Sequence, residues 1–180
     1  MALFKLGFLH VLPLGIDHVL FIVSLFFLNS TLRSALYQSL SFTVAHSVAL
    51  FFAAAGFISV SSEIVEPVIA FSIVLTASAN LFFNKPNPWR MMVIFVFGLF
   101  HGMGFAVVFL EKGYTGSSLL LALLQFNAGV EVAQIAILLA LWLFLARWAS
   151  QKPWYNSHVA RPVSILIACI AMVWTAERLI

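Results

Sequence analysis

Six stretches of this sequence are each long and apolar enough to cross a bilayer, and that constrains the fold more than any motif does. They lie at about 6–28, 35–58, 64–83, 91–110, 118–146 and 162–180. A spanning helix needs about 20 mainly apolar residues. The breaks are polar or carry turn residues: Asn29-Ser30-Thr31, Ser59 to Glu63, Asn84 to Pro88, Glu111 to Gly116, and Ser150 to Arg161. Of the 180 residues, 63% are hydrophobic and 8% charged. Soluble domains average roughly 45–50% apolar and about 25% charged residues. Only a chain solvated by lipid has a use for this much apolar surface. The runs do not alternate every second residue, as the strands of a membrane barrel do. The expected fold is therefore an all-α, polytopic bundle of six transmembrane helices, with residues 1–180 as one transmembrane domain.

The first run is too long for the apolar core of a signal peptide. It contains Asp17 and two histidines, lacks a small-residue cleavage site, and reads as a mature helix. The single cysteine, Cys169, excludes an intramolecular disulfide. The net charge of +3 is small, and no basic stripe with interleaved aromatics marks a nucleic-acid surface. The basic residues instead set orientation, since cytoplasmic loops are enriched in Lys and Arg. Arg33, Lys85, Arg90, Arg147, Lys152 and Arg161 follow runs one, three and five, against Lys5, Lys112 and Arg178 on the other side. The expectation is an inner-membrane protein of a bacterium with both termini periplasmic.

The informative residues are the polar ones inside the runs. His10, Asp17 and His18 lie in the first, His46 in the second, His101 in the fourth, and Asn127, Glu131 and Gln134 in the fifth. A charge at the bilayer centre costs at least about 2.5–3.5 kcal/mol, so such groups face the interior and have partners. Asp17, His18, His46, His101 and Glu131 all fall near the middle of their runs. Four helices thus deliver ionisable groups to one depth. His10 and Asp17 share a helix face, with Pro13 and Gly15 between them suggesting a kink or a broken helix. Asn127, Glu131 and Gln134, at i, i+4 and i+7, form one inward stripe. His101 sits among Gly98, Gly102 and Gly104, small residues that let a neighbouring helix approach. Those glycines serve packing within one subunit or between copies equally well, so a homo-oligomer is one expected state. His10 and Glu66 lie toward the outer side and suggest a vestibule above the central cluster.

Neutral imidazole with carboxylate is a ligand set for borderline divalent metals such as nickel or zinc. A hard ion such as magnesium favours oxygen ligands. Phosphate-binding glycine loops and dinucleotide fingerprints are absent, and the glycines around His101 are mid-helix with no preceding strand. Plainer readings compete at each residue. A lone His is often an interhelical hydrogen-bonding group; Asp17 and His18 could be a structural ion pair; Asn127, Glu131 and Gln134 could tie helices together. Ser72, Thr76 and Asn80 read as packing residues, and His158 as a solvated loop residue. Haem ligation by a pair such as His46 and His101 is a third, separate option.

Four segments together resemble a known family: His10-Val-Leu-Pro-Leu-Gly-Ile-Asp17-His18, Phe42-Thr-Val-Ala-His46-Ser, Phe97-Gly-Leu-Phe-His101-Gly-Met-Gly-Phe, and Phe126-Asn127-Ala-Gly-Val-Glu131-Val-Ala-Gln134. They are similar to the HupE/UreJ hydrogenase and urease accessory membrane proteins, most of all to the broader second branch, over almost the whole chain. The resemblance implies a six-helix permease with nickel as the usual substrate. Its motif residues carry over to His10, Asp17, His18 and His101. One departure bears on nickel selectivity: the better-characterised branch opens its first motif with a His-Pro pair, whereas Val11 follows His10 here.

The expected function is a secondary permease for a divalent transition metal, nickel or zinc. The metal residues are His10, Asp17, His18, His46, His101 and Glu131, with Glu66, Asn127 and Gln134 at the mouth or in support. The alternative is a membrane-embedded metal-dependent hydrolase of a lipid-like substrate. The expected partners are the metal ion and the lipid bilayer, with no nucleic acid.

Overall fold

The computed structural model describes residues 2–28, 30–83, 85 and 87–180, so Asn29, Asn84 and Pro86 of the predicted breaks lie outside the described residues. Among the described residues all regular structure is helical. The helices are α1 (Ala2–Val11), α2 (Ile16–Phe27), α3 (Leu32–Ala54), α4 (Ser62–Phe82), α5 (Pro88–Gly104), α6 (Val107–Glu111), α7 (Gly116–Leu141), α8 (Arg147–Ala149) and α9 (Arg161–Glu177). A π-helical turn, Trp142–Ala146, carries α7 into α8, and a second, Asn156–Ala160, leads into α9.

Among the described residues, five unbroken stretches are long and apolar enough to span a membrane: Leu32–Ala54, Ser62–Phe82, Pro88–Glu111, Gly116–Ala149 and Asn156–Glu177. The sixth exists only as a broken pair, α1 and α2, bent by 65°. The break falls where Pro13 and Gly15 placed it. Gly15 packs so closely on the His10 carbonyl oxygen that a Cβ would overlap it. The chain is thus an all-α polytopic bundle.

The exterior is apolar, and the interior holds polar side chains among its apolar ones. Phe82, Trp89, Leu121, Phe144, Trp148 and Leu166 are exposed, while Gln38, His46, Arg90, His101 and Gln134 are buried. Lipid rewards that arrangement, and helix association then rests on close packing and interhelical hydrogen bonds. Glycines set the closest approaches. Gly98 faces the Phe42 carbonyl oxygen and Ala45 of α3, which a Cβ would meet at 2.7 and 2.8 Å. One turn on, Gly102 lies directly against the His46 carbonyl oxygen. Gly7 of α1 and Gly129 of α7 do the same for their pair, against the carbonyls of Phe126 and Phe4.

One residue counted as a loop charge is not in a loop. Asn87 caps α5 by accepting the Arg90 backbone N–H at 2.8 Å, with Pro88 in the first turn. Arg90 therefore belongs to the helix, and its side chain is buried. The basic residues exposed at this end are Arg33, Lys85, Arg147, Lys152 and Arg161.

Candidate functional site

The α3–α5 seam brings two histidines together. With no side chains at Gly98 and Gly102, α5 lies against the backbone of α3 at Phe42 and His46. His46 and His101, both fully or almost fully buried, then pack on the same Phe42 ring, 5.9 and 4.8 Å away. The break between α1 and α2 supplies the other two. It folds the end of α1 back onto the start of α2, so the His10 and His18 ring centroids are 4.6 Å apart. His18 lies 5.3 Å from His101 and 6.1 Å from His46, and His10 lies 6.4 Å from His46.

These separations suit a shared ligand. A metal–nitrogen bond is about 2.0–2.1 Å. Four imidazoles held tetrahedrally on one ion would therefore have ring centroids about 5 Å apart. The ring nitrogens agree. His101 Nδ1 donates to the Phe97 carbonyl oxygen at 2.8 Å, which leaves Nε2 as a bare acceptor. His18 Nδ1 lies 3.4 Å from Asp17 Oδ1, and that carboxylate also accepts the His18 backbone N–H at 3.0 Å. A carbonyl or carboxylate behind one ring nitrogen is how metal-binding histidines are usually oriented. The Nε2 atoms of His10, His18, His46 and His101 are all buried without a hydrogen-bond partner among the described residues, as is His46 Nδ1. A buried polar atom left alone is costly, and four in one place call for a common partner. Among the described residues no three His, Cys, Asp or Glu side chains form a ready-made coordination sphere. The donors converge; they do not yet enclose.

A vestibule of 520 Å³ opens on this cluster. His10, Asp17, His18 and His101 line it, with Glu66 and Arg178 among the residues at its rim. Arg178 donates to the Glu66 backbone carbonyl oxygen at 3.2 Å, joining the C-terminal turn to α4. Glu66 was expected above the cluster and lines this cavity. His10 was expected there too, but its contact with His18 puts it in the cluster itself.

The α7 stripe meets α3 at two of its three positions. Gln134 accepts a short hydrogen bond from Ser39 and donates to Thr43 Oγ1 at 3.1 Å, tying α7 to α3. Asn127 lines a separate cleft with Ser47 and Phe51 of α3. Glu131 is half-buried, with Oε2 unpartnered among the described residues, and does not line the vestibule. Equal depth along a helix put Glu131 with the histidines in the sequence. On α7 it stands between Asn127, beside Ser47 of α3, and Gln134, bonded to Ser39 and Thr43.

On the side away from the vestibule, phenyl rings close the cluster. Phe42 is 4.8 Å from the His101 ring and 5.9 Å from His46, and Phe21 is 5.4 Å from His101 and 4.7 Å from Phe42. Beyond them lies a polar layer in which Thr76 and Asn80 are the packing residues expected from the sequence, while Arg90 and Gln38 are members that the sequence reading missed. Arg90 donates through Nε to Gln38 Oε1 at 2.7 Å, and through its terminal nitrogens to the carbonyls of Thr76 at 3.2 Å and Ser24 at 3.5 Å. Asn80 donates to the Ser24 carbonyl at 2.8 Å and to Ser164 Oγ at 3.2 Å. The signal was present in Gln38, the buried amide of α3, and in Arg90 following a helix cap instead of preceding one.

The family model described as HupE / UreJ protein matches residues 1–178. No curated protein and no solved structure matches the chain.

Proposed function

We propose that this chain, which belongs to the HupE/UreJ family, binds a divalent transition metal ion among His10, Asp17, His18, His46 and His101 and acts as a metal permease. The observation that carries the reading is the set of four buried, unpartnered Nε2 atoms behind a vestibule that holds two carboxylates. Imidazole-rich sites select borderline ions such as nickel or zinc, and the family resemblance favours nickel. The ion is cargo. It would be drawn in past Glu66 and Asp17, exchange hydration water for imidazole nitrogens, and leave when those nitrogens take protons, since metal and proton compete for the same lone pairs. Nothing in the sequence resembles a nucleotide-driven motor.

The test is metal analysis of the purified protein, with Ni²⁺ uptake into proteoliposomes. One ion per chain, lost in His18→Ala and His101→Ala, supports the site. Wild-type protein that binds no nickel or zinc sinks it. A second reading, a metal-dependent hydrolase of a lipid-like substrate, draws on one observation: the candidate donors stop at Phe21 and Phe42 and do not continue through the bundle. There a metal-bound water would be the nucleophile and Asp17 its base. Stoichiometric metal binding with uptake no greater than in empty vesicles would favour it over transport.

A further inference from the structure

The histidine centre and the Arg90 layer are carried by the same helices. Helix α2 supplies His18 and Ser24, α3 supplies His46 and Gln38, and α5 supplies His101 and Arg90; α4 adds Glu66 at the vestibule and Thr76 at the layer. At 1.5 Å rise per residue the layer lies about 9 Å from the centre along α2, about 12 Å along α3 and about 16 Å along α5. Phe21, Leu25, Phe42, Ile73 and Ile94, all buried, fill the space between. Among the described residues the sole ion pair is His18 with Asp17, so the Arg90 guanidinium has amide and carbonyl oxygens around it and no carboxylate. A guanidinium keeps its charge inside proteins. A fixed cation in a narrow protein interior is a barrier to any other cation.

We infer that Arg90 is the charge gate of this bundle: with the Phe21–Phe42 seal it stops cations from passing between the vestibule and the basic end. The three bonds it makes tie α5 to α3, α4 and α2, so the barrier is also a latch. Cation passage then requires the Arg90 side chain to leave these acceptors. The inference deepens the permease reading, and rests on it only for the identity of the ion that is held back.

The test is passive Ni²⁺ influx into proteoliposomes loaded with a chelating dye, without a proton gradient, beside Ni²⁺ binding by calorimetry on the same preparations. Arg90→Gln removes the charge, and its influx is expected to rise by about tenfold or more over wild type, because the Coulomb barrier is gone. Arg90→Lys keeps the charge and is expected to stay near wild type. Gln38→Glu provides a route that keeps Arg90 and its bond but neutralises it with a carboxylate, and should leak like Arg90→Gln even if that variant folds poorly. Influx through Arg90→Gln and Gln38→Glu no greater than wild type overturns the gate. Arg90→Lys leaking as much as Arg90→Gln overturns the role of charge. Wild-type binding is scored separately: its absence overturns the metal site, and the influx comparison still decides the gate.

Discussion

At the scale of residues, the site is a set of imidazoles whose lone pairs have been left without partners by everything around them. His101 shows how this is done: its Nδ1 proton is committed to the Phe97 carbonyl, so Nε2 has only its lone pair to offer. Asp17 does the same for His18 over a longer contact. Asp17→Asn should therefore weaken metal affinity by about 10–100-fold without removing any imidazole, the usual cost of losing the group behind a metal-bound histidine. Calorimetric titration with Ni²⁺ reads this directly, and an unchanged affinity would mean that Asp17 does not orient His18. Affinity should also fall on acidification, since a protonated imidazole has no lone pair to give. Gln134→Ala is the contrasting case. It removes two helix-to-helix bonds worth about 0.6 kcal/mol each in membrane proteins. A loss of about 1–2 kcal/mol in unfolding stability in detergent is expected, with Ni²⁺ affinity unchanged. Weakened binding in that variant would return the α7 stripe to the site.

Among helices, the depth of each group was legible and its direction was not. Counting from the ends of an apolar run gives a position along the membrane normal. That put His18, His46 and His101 at one level, and the structure brings their rings within 5.3–6.1 Å of the His18 ring. The same count put Glu131 with them. Which way a residue faces around its helix depends on what the helix packs against, and α7 turns Gln134 toward Ser39 and Thr43 of α3. Arg90 misled for a related reason. Two residues after Pro88 it looks like a flanking loop charge, but the Asn87 cap starts the helix before it and a turn of α5 swings it inward. The glycines around His101 were readable as a seam, and the structure gives that seam its partner, α3. Gly102→Val should push α3 and α5 apart at the His46 carbonyl. Overpacking of this kind costs about 1–3 kcal/mol, and here it also shifts two of the proposed ligands. Thermal unfolding in detergent and Ni²⁺ titration should fall together; a variant with wild-type stability would mean the seam has slack.

The whole molecule is strongly polar along its length. Of its six acids, Asp17, Glu63, Glu66, Glu111 and Glu177 lie at or toward the vestibule end and Glu131 lies within α7; the opposite end exposes Arg33, Lys85, Arg147, Lys152 and Arg161. From the positive-inside tendency, the basic end is expected to face the cytoplasm. Reporter fusions check this: a periplasm-dependent enzyme should be active when fused after Ile180 and inactive when inserted next to Lys152. The opposite result would reverse the direction in which the vestibule faces.

The seal of phenyl rings and Arg90 is also where a voltage would act. Water in a vestibule conducts, so the potential across a membrane drops mainly over the dry stretch, here the layer from Phe42 to Arg90. Each elementary charge crossing the full potential does work of about 2.3 kcal/mol per 100 mV. A divalent ion would do about twice that over a few side chains, and Arg90 itself, displaced in the same movement, would carry charge through the same concentrated field. Opening of this bundle is for that reason an electrically loaded event. A membrane held at zero potential would take that work away, and one of reversed polarity would change its sign.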